Sequence, residues 1–175
     1  MSTKTKNLNL IKPEENDYVN IKDINDNMDK IDEKAVTLET LQKELEKQKV
    51  KDTGWITVNT FFNGCTHYGP NSNVQVRQCG KFVYIVGAVG NKNELATKQT
   101  SDEIPDVAMF KLPDGIGLPR TNVRFAQQGS GSNRFSVVVD ASTRIVSIGR
   151  YGTTSCINVP ADSWLNVCLT YIVGD

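Results

Sequence analysis

The chain holds a single histidine, two residues after a cysteine, in Asn63-Gly-Cys-Thr-His-Tyr-Gly-Pro70. A thiol beside an imidazole is the minimum for a cysteine nucleophile with a general base. Residues two apart share a face only on a strand. The glycines and proline around His67 predict a turn-rich loop instead, where His67 reads as an exposed or ligand-contacting side chain. The cysteines Cys65, Cys79, Cys156 and Cys168 are spaced by 14, 77 and 12. None of these is a C-x-x-C, which removes the zinc-knuckle and thioredoxin patterns. No export signal is visible, so the thiols are expected to be free, with a disulfide between two of Cys65, Cys79 and Cys156 as the alternative. Cys168, inside an apolar run, is expected to serve as a small hydrophobe. Asp102, Glu103, Asp106, Asp114, Asp140 and Asp162 are scattered between apolar runs and read as solvated loop charges; a glycosidase would need two of them brought close. Gly129-Ser-Gly-Ser-Asn-Arg134 lacks the Gly-Lys-Ser/Thr ending of a phosphate loop and precedes a strand pattern, so it reads as a hairpin loop. No enzymatic activity, cofactor or metal is expected.

What remains is recognition chemistry. His67 and Tyr68 form one candidate group, Arg150 and Tyr151 between Gly149 and Gly152 a second. Asn133 and Arg134 would complete a pocket if their loop lies alongside, and Trp164 opens the last apolar run. Tyrosine and tryptophan rings stack on the apolar faces of sugars, and Arg and His donate to hydroxyls or phosphates. These seven residues are the expected saccharide contacts. The competing reading makes the two loop groups ordinary exposed residues and puts the site in a subunit cleft near Trp164. Twenty basic residues balance twenty acidic ones, so the clustered cation that a nucleic-acid binder needs is missing. No apolar run approaches the ~20 residues of a membrane span. Neither nucleic acid nor membrane is expected as a partner.

The elements that must position these residues divide into two unlike parts. Residues 1–53 carry most of the charge and no glycine, whereas every Trp, Phe and Cys follows Gly54. Asn7-Leu-Asn-Leu-Ile11 alternates and stops before Pro13, which predicts an extended segment over 1–20. Asp17 or Asn20 is the expected cap of a helix over 21–50. Apolar residues recur at Ile21, Ile24, Met28, Ile31, Ala35 and Leu38 with heptad spacing, and Leu45 continues a seam that stutters after Leu38. About thirty helical residues would span ~45 Å. Isoleucine at both core positions favours trimers or tetramers over dimers, so a coiled-coil stalk is expected; a helix docked on a sheet of its own chain is the alternative. From 54 to 175, short apolar runs punctuated by Gly, Asn and Pro predict an all-β sandwich or barrel. Phe82–Val89, apolar on both faces, is expected as a strand buried on both sides. In Leu165–Val173 the odd positions are apolar, and Asn166, Cys168 and Thr170 form a second face suited to solvent or a subunit interface.

Leu8-Asn-Leu-Ile-Lys-Pro-Glu-Glu-Asn-Asp-Tyr18, followed by Ile21-Lys-Asp-Ile-Asn-Asp-Asn-Met-Asp-Lys-Ile-Asp32, resembles the opening segment of tail-fibre and baseplate proteins of phages and prophages of Gram-positive bacteria. Asn27, Met28, Asp29, Ile31 and Asp32 carry the match, which covers about the first 35 residues. The later pattern of Leu-Pro turn, Arg120, Phe125 and closing Trp-Leu-Asn-Val-x-Leu-Thr-Tyr-Ile strand resembles their β-rich heads more loosely. The resemblance implies a homotrimer in a virion tail, made in the bacterial cytoplasm and attached to other tail or baseplate proteins by its N-terminal segment. It implies a head that recognises host cell-wall saccharide, and supplies no site residues. A structural fibre component of a phage or bacteriocin tail, or a polysaccharide-degrading spike, is the alternative.

Overall fold

The computed structural model describes residues 3–14, 18, 20–35, 38–100, 103 and 105–174. The chain forms two compact units, Met1–Lys49 and Val50–Asp175.

In the first unit the expected extended leader is a small hairpin. Strands β1 (Thr3–Lys4) and β2 (Ile11–Lys12) pair antiparallel. Thr5 closes the turn, its N–H donating to the Leu10 carbonyl and its hydroxyl accepting from the Leu10 N–H, both at 2.9 Å. Asn9 supplies the left-handed position (φ 53°), which asparagine tolerates better than most residues. The alternation over residues 7–11 is therefore partly a turn.

Helix α1 (Ile21–Lys34) starts at Asn20, whose backbone is extended (φ −91°, ψ 124°) and whose Oδ1 accepts from the Lys22 N–H at 3.0 Å. That bond satisfies one of the orphan donors of the first turn. Asp17, the other expected cap, lies outside the described residues. The single helix expected over 21–50 is interrupted: Ala35 leaves helical geometry (φ −68°, ψ 112°), and α2 runs over Leu38–Gln48. The next two residues in sequence, Val36 and Thr37, are β-branched types that lose rotamer freedom in a helix.

One side chain ties the hairpin to α1. Asn27 Oδ1 accepts from the Ile11 N–H at 2.8 Å, and its Nδ2 donates to the Ile11 carbonyl at 3.0 Å. The amide thus imitates a neighbouring strand. The partly covered positions of α1 are Asp23, Asp26, Asn27 and Lys30, while Ile21, Ile24, Met28 and Ile31 are all exposed. An amphipathic helix ordinarily buries its apolar stripe; here the polar side is covered and the apolar stripe is bare. Ala35, Leu41 and Leu45 are exposed as well, and the side chain of Leu38 lies outside the described residues. Among the described residues no helix is long and apolar enough to cross a membrane.

The second unit is β-rich. In chain order its strands are β3 (Ile56–Thr57), β4 (Cys65–His67), β5 (Gln75–Cys79), β6 (Phe82–Val86), β7 (Ala88–Asn91), β8 (Val107–Lys111), β9 (Val123–Gln128), β10 (Arg134–Val139), β11 (Ile145–Gly152), β12 (Trp164–Asn166) and β13 (Leu169–Ile172). They form three sheets, ordered β8-β11-β10-β9, β12-β7-β4 and β13-β6-β5-β3, with antiparallel pairing. Val76, Ile85, Phe110, Val137, Ile148, Leu165 and Tyr171 belong to one buried apolar cluster drawn from all three.

The two longest apolar runs each serve two sheets. Phe82–Val89 passes from β6 to β7 at Gly87, where φ is 125° and a Cβ would collide with the Asn73 carbonyl. Leu165–Val173 passes from β12 to β13, and between them the Val167 N–H donates to the Gly87 carbonyl at 3.0 Å. Its odd positions, Leu165, Val167, Leu169 and Tyr171, are buried as their alternation requires. The expectation that Phe82–Val89 is buried on both sides does not hold: Val83 and Ile85 face the core, whereas Phe82 and Tyr84 are exposed. All four cysteines are free, but Cys168 lies exposed and Cys65 is the buried one.

Candidate functional site

The segment expected as a loop around His67 contains strand β4, paired with β7, which pairs on its other side with β12. At the level of Gly90 on the central strand, Thr66 lies on one side and Trp164 on the other. Gly90 has no side chain to fill that level, and the Tyr68 ring lies over it, close enough that a Cβ would touch Tyr68 Cα and Cδ2 at 3.4–3.5 Å. The Tyr68 N–H extends the ladder to the Ala88 carbonyl at 3.0 Å. The Tyr68 and Trp164 rings then stand 6.4 Å apart, tilted by 48°. Both rings are partly open to solvent, the condition under which an aromatic pair offers a stacking surface.

Beside this pair is a concavity of about 250 Å³, walled by Thr66, His67, Tyr68, Lys92, Asp162 and Ser163 over Gly90 and Asn91. His67 is held by two contacts: its Nδ1 accepts from the Val74 N–H at 3.0 Å, and its ring meets Phe61 edge-on at 4.8 Å. An Nδ1 that accepts leaves the neutral imidazole its proton on Nε2. Asn91 is 2% exposed. Its Nδ2 donates to the Asn93 and Pro160 carbonyls, both at 2.8 Å, which fixes the amide orientation. Its buried Oδ1 has no hydrogen-bond partner among the described residues, and an unmet buried acceptor costs ~1–3 kcal/mol. Lys92 and Asp162 bring opposite charges to the rim, and the Asp162 N–H donates to the Asn91 carbonyl at 2.8 Å.

The Gly129–Asn133 loop lies alongside Trp164. Ser130 Oγ accepts from the Trp164 N–H at 2.9 Å, and the Ser130 N–H donates to the Trp164 carbonyl at 3.1 Å. Asn133 braces this loop, its Nδ2 donating to the Ser130 carbonyl at 3.1 Å. His67, Tyr68, Trp164 and the Asn133 loop are thus brought together. Arg134 and Arg150 are exposed on β10 and β11 and do not wall the concavity.

Tyr151 is a correction. It is one of the expected saccharide contacts, yet it is 1% exposed and its ring stacks on Phe135 at 6.2 Å. The cause is a bulge. Arg134 pairs with Gly152 and Ser136 with Gly149, so β11 carries one extra residue. Arg150 absorbs it at φ 56°, and a bulge of this kind re-aims the neighbouring side chain.

The thiol and carboxylates are differently placed. Cys65 and His67 alternate with an exposed Thr66 on one strand, and burial pushes the Cys65 thiol up to about 11, away from the low range of a nucleophilic thiolate. Asp106 makes a bidentate pair with Arg124 at 2.6 and 3.0 Å. Asp140 is held well below the usual carboxylate range by the N–H groups of Thr143 and Ser142 in the β10–β11 turn. Asp102 lies outside the described residues. Among the described residues no three His, Cys, Asp or Glu side chains gather as a metal ion would require.

Neither a protein-family model nor a curated protein matches the chain. Asn91, Lys92, Asp162 and Ser163 are site residues that the sequence reading missed. They meet because β7 pairs with β12 across more than seventy residues of chain, which no local pattern announces.

Proposed function

We propose that the chain is a homotrimeric receptor-binding protein of a phage or prophage tail, which recognises host cell-wall saccharide during adsorption. The observation that carries the reading is the bare apolar stripe of α1, with Ile21, Ile24, Met28 and Ile31 exposed on a helix whose polar side is the covered one. Leaving four large apolar side chains in water forfeits ~1.5–3 kcal/mol for each that could be fully buried. Isoleucine at both core positions favours trimers or tetramers over dimers, and the trimer is the smaller of these assemblies. The resemblance of the first 35 residues to tail-protein openings supports the context, and Asn27 within that match is the residue that clasps the hairpin. The N-terminal hairpin is then the part offered to other tail or baseplate proteins. The β-rich unit is a sandwich-like head, and the Tyr68–Trp164 pair beside its polar concavity is the saccharide surface. A trimer turns three weak sugar sites into useful avidity.

The test uses the full chain and purified cell-wall polysaccharide from a Gram-positive host. Light scattering should give three times the 19.4 kDa chain mass. Tyr68→Ala and Trp164→Ala should each weaken polysaccharide binding by ~1–3 kcal/mol, the range of a buried aromatic anchor, with the trimer intact. A monomer mass refutes the assembly. Polysaccharide that shortens during incubation points to a depolymerising spike, and no binding to any host wall points to a structural fibre component.

A further inference from the structure

We infer that the outer face of the β13-β6-β5-β3 sheet is where the heads of neighbouring copies meet, an inference that rests on the trimeric reading above. Strand β6 lies inside its sheet, between β5 and β13, yet turns two aromatic side chains outward. Register places Cys79, Phe82 and Ile172 in one row across the face, and Arg77, Tyr84 and Thr170 in the next. Ile172 is 60% exposed, and Trp55, 47% exposed, has the Arg77 guanidinium 6.0 Å from its ring centre. The face thus carries a raised apolar ridge, Phe82 and Ile172, beside a hollow of about 280 Å³ between Trp55, Arg77, Cys79 and Tyr84.

Three observations favour a second copy as the occupant. First, the two formal charges of these rows, Arg77 and the Asp52 that bridges to Cys79, are spent on each other: Arg77 Nε and Nη2 reach the Asp52 carboxylate at 2.9 and 2.5 Å. A neutralised face meets its own copy without like-charge repulsion. Second, the composition is that of an interface core, rich in aromatic residues and Arg. Taking ~150–250 Å² for a whole aromatic side chain, the half-open residues here offer roughly 300–400 Å² of apolar surface, at the scale of a functional patch. Third, the opening residues of the β-rich unit lie beside this face. Asp52 bridges to Cys79, and the Gly80 N–H donates to the Lys51 carbonyl at 2.7 Å. Copies joined through residues 21–48 therefore hold these faces within a few residues of their junction, at an effective concentration in the ~mM range, so a modest patch suffices. A ring of three closes by placing one copy's ridge in the next copy's hollow, a heterologous contact.

The test uses the full chain carrying Trp164→Phe, which leaves Trp55 as the only tryptophan of two. Acrylamide quenching of Trp55 is read beside the mass from light scattering. At trimer mass, quenching should be several-fold weaker than in a chain made monomeric by Ile24→Glu with Ile31→Glu. Adding Phe82→Glu, or separately Ile172→Lys, should leave the trimer standing on its helices and raise quenching to the monomer level. Both substitutions are at exposed positions, so the fold is spared. Trimer mass with Trp55 as open as in the monomer overturns the head contact alone. Protection of Trp55 that appears only when cell-wall polysaccharide is added also overturns it, in favour of a ligand surface. A monomer mass for the parent chain overturns the contact together with the trimer.

Discussion

Replacing Tyr151 and Tyr68 separates a core tyrosine from a recognition tyrosine. Tyr151 is almost wholly enclosed and stacked on Phe135. An aromatic side chain of ~150–250 Å² at ~25 cal/mol per Å² gives ~4–6 kcal/mol as an upper bound. Large-to-small aromatic replacements in cores cost ~3–5 kcal/mol, so Tyr151→Ala should lower head stability by that amount. For a unit of this size the loss amounts to a fall on the order of 10–20 °C in Tm. Tyr68 is 53% exposed over Gly90, and Tyr68→Ala should leave stability within ~1 kcal/mol of the parent while weakening polysaccharide binding. Urea unfolding followed by circular dichroism, with binding measured on the folded fraction, reads both quantities. If Tyr151→Ala unfolds with the parent but has lost binding, the bulge argument is wrong and Tyr151 belongs to the recognition surface.

Two further outcomes follow from side-chain geometry. Asn27→Ala removes both bonds to Ile11; at ~0.5–1.5 kcal/mol each, hydrogen exchange at the Ile11 amide should quicken by roughly 5- to 150-fold while the β-rich unit keeps its protection. The Asp52 carboxyl is held at about 2, chiefly by the hydrogen bond from Arg77 and then by the Gly54 N–H. A carboxylate depressed on folding stabilises above its unfolded pKa and loses that contribution as pH falls through the folded one. Denaturant titrations of parent and Asp52→Asn should therefore converge between about pH 4 and pH 2, and a stability difference that is unchanged across that window would show that the Arg77 pair contributes nothing.

Period-two alternation made much of the β-rich unit readable. Val123–Gln128 is β9 as its pattern indicates, and Leu165, Val167, Leu169 and Tyr171 all turn inward. Asn20 was readable as a cap because its short side chain can reach the orphan N–H groups of a first turn. Strand β4 was not readable, since three residues framed by Gly and Pro carry no period and are held by pairing with β7. Tyr151 was misread for a related reason: its flanking glycines suggest a turn, whereas they continue a strand whose extra residue reverses the facing. The concavity was half legible. His67, Tyr68 and Trp164 stand out by type, but Asn91 and Asp162 join them only through long-range pairing.

The crossing at Gly87 and Val167 acts as a crease. Both long apolar runs fold from one sheet to another at that level, joined by the bond from the Val167 N–H to the Gly87 carbonyl. A strand's facing is set by counting residues in twos, and the count runs unbroken through the crease, with Val83, Ile85 and Val89 inward in one run and Leu165, Val167, Leu169 and Tyr171 inward in the other. A single-residue insertion at the crease would therefore invert the facing of one sheet relative to the other. The floor beneath Tyr68 and the β6 ridge are thus bound to one count, and neither surface can shift by a single residue without turning core side chains outward.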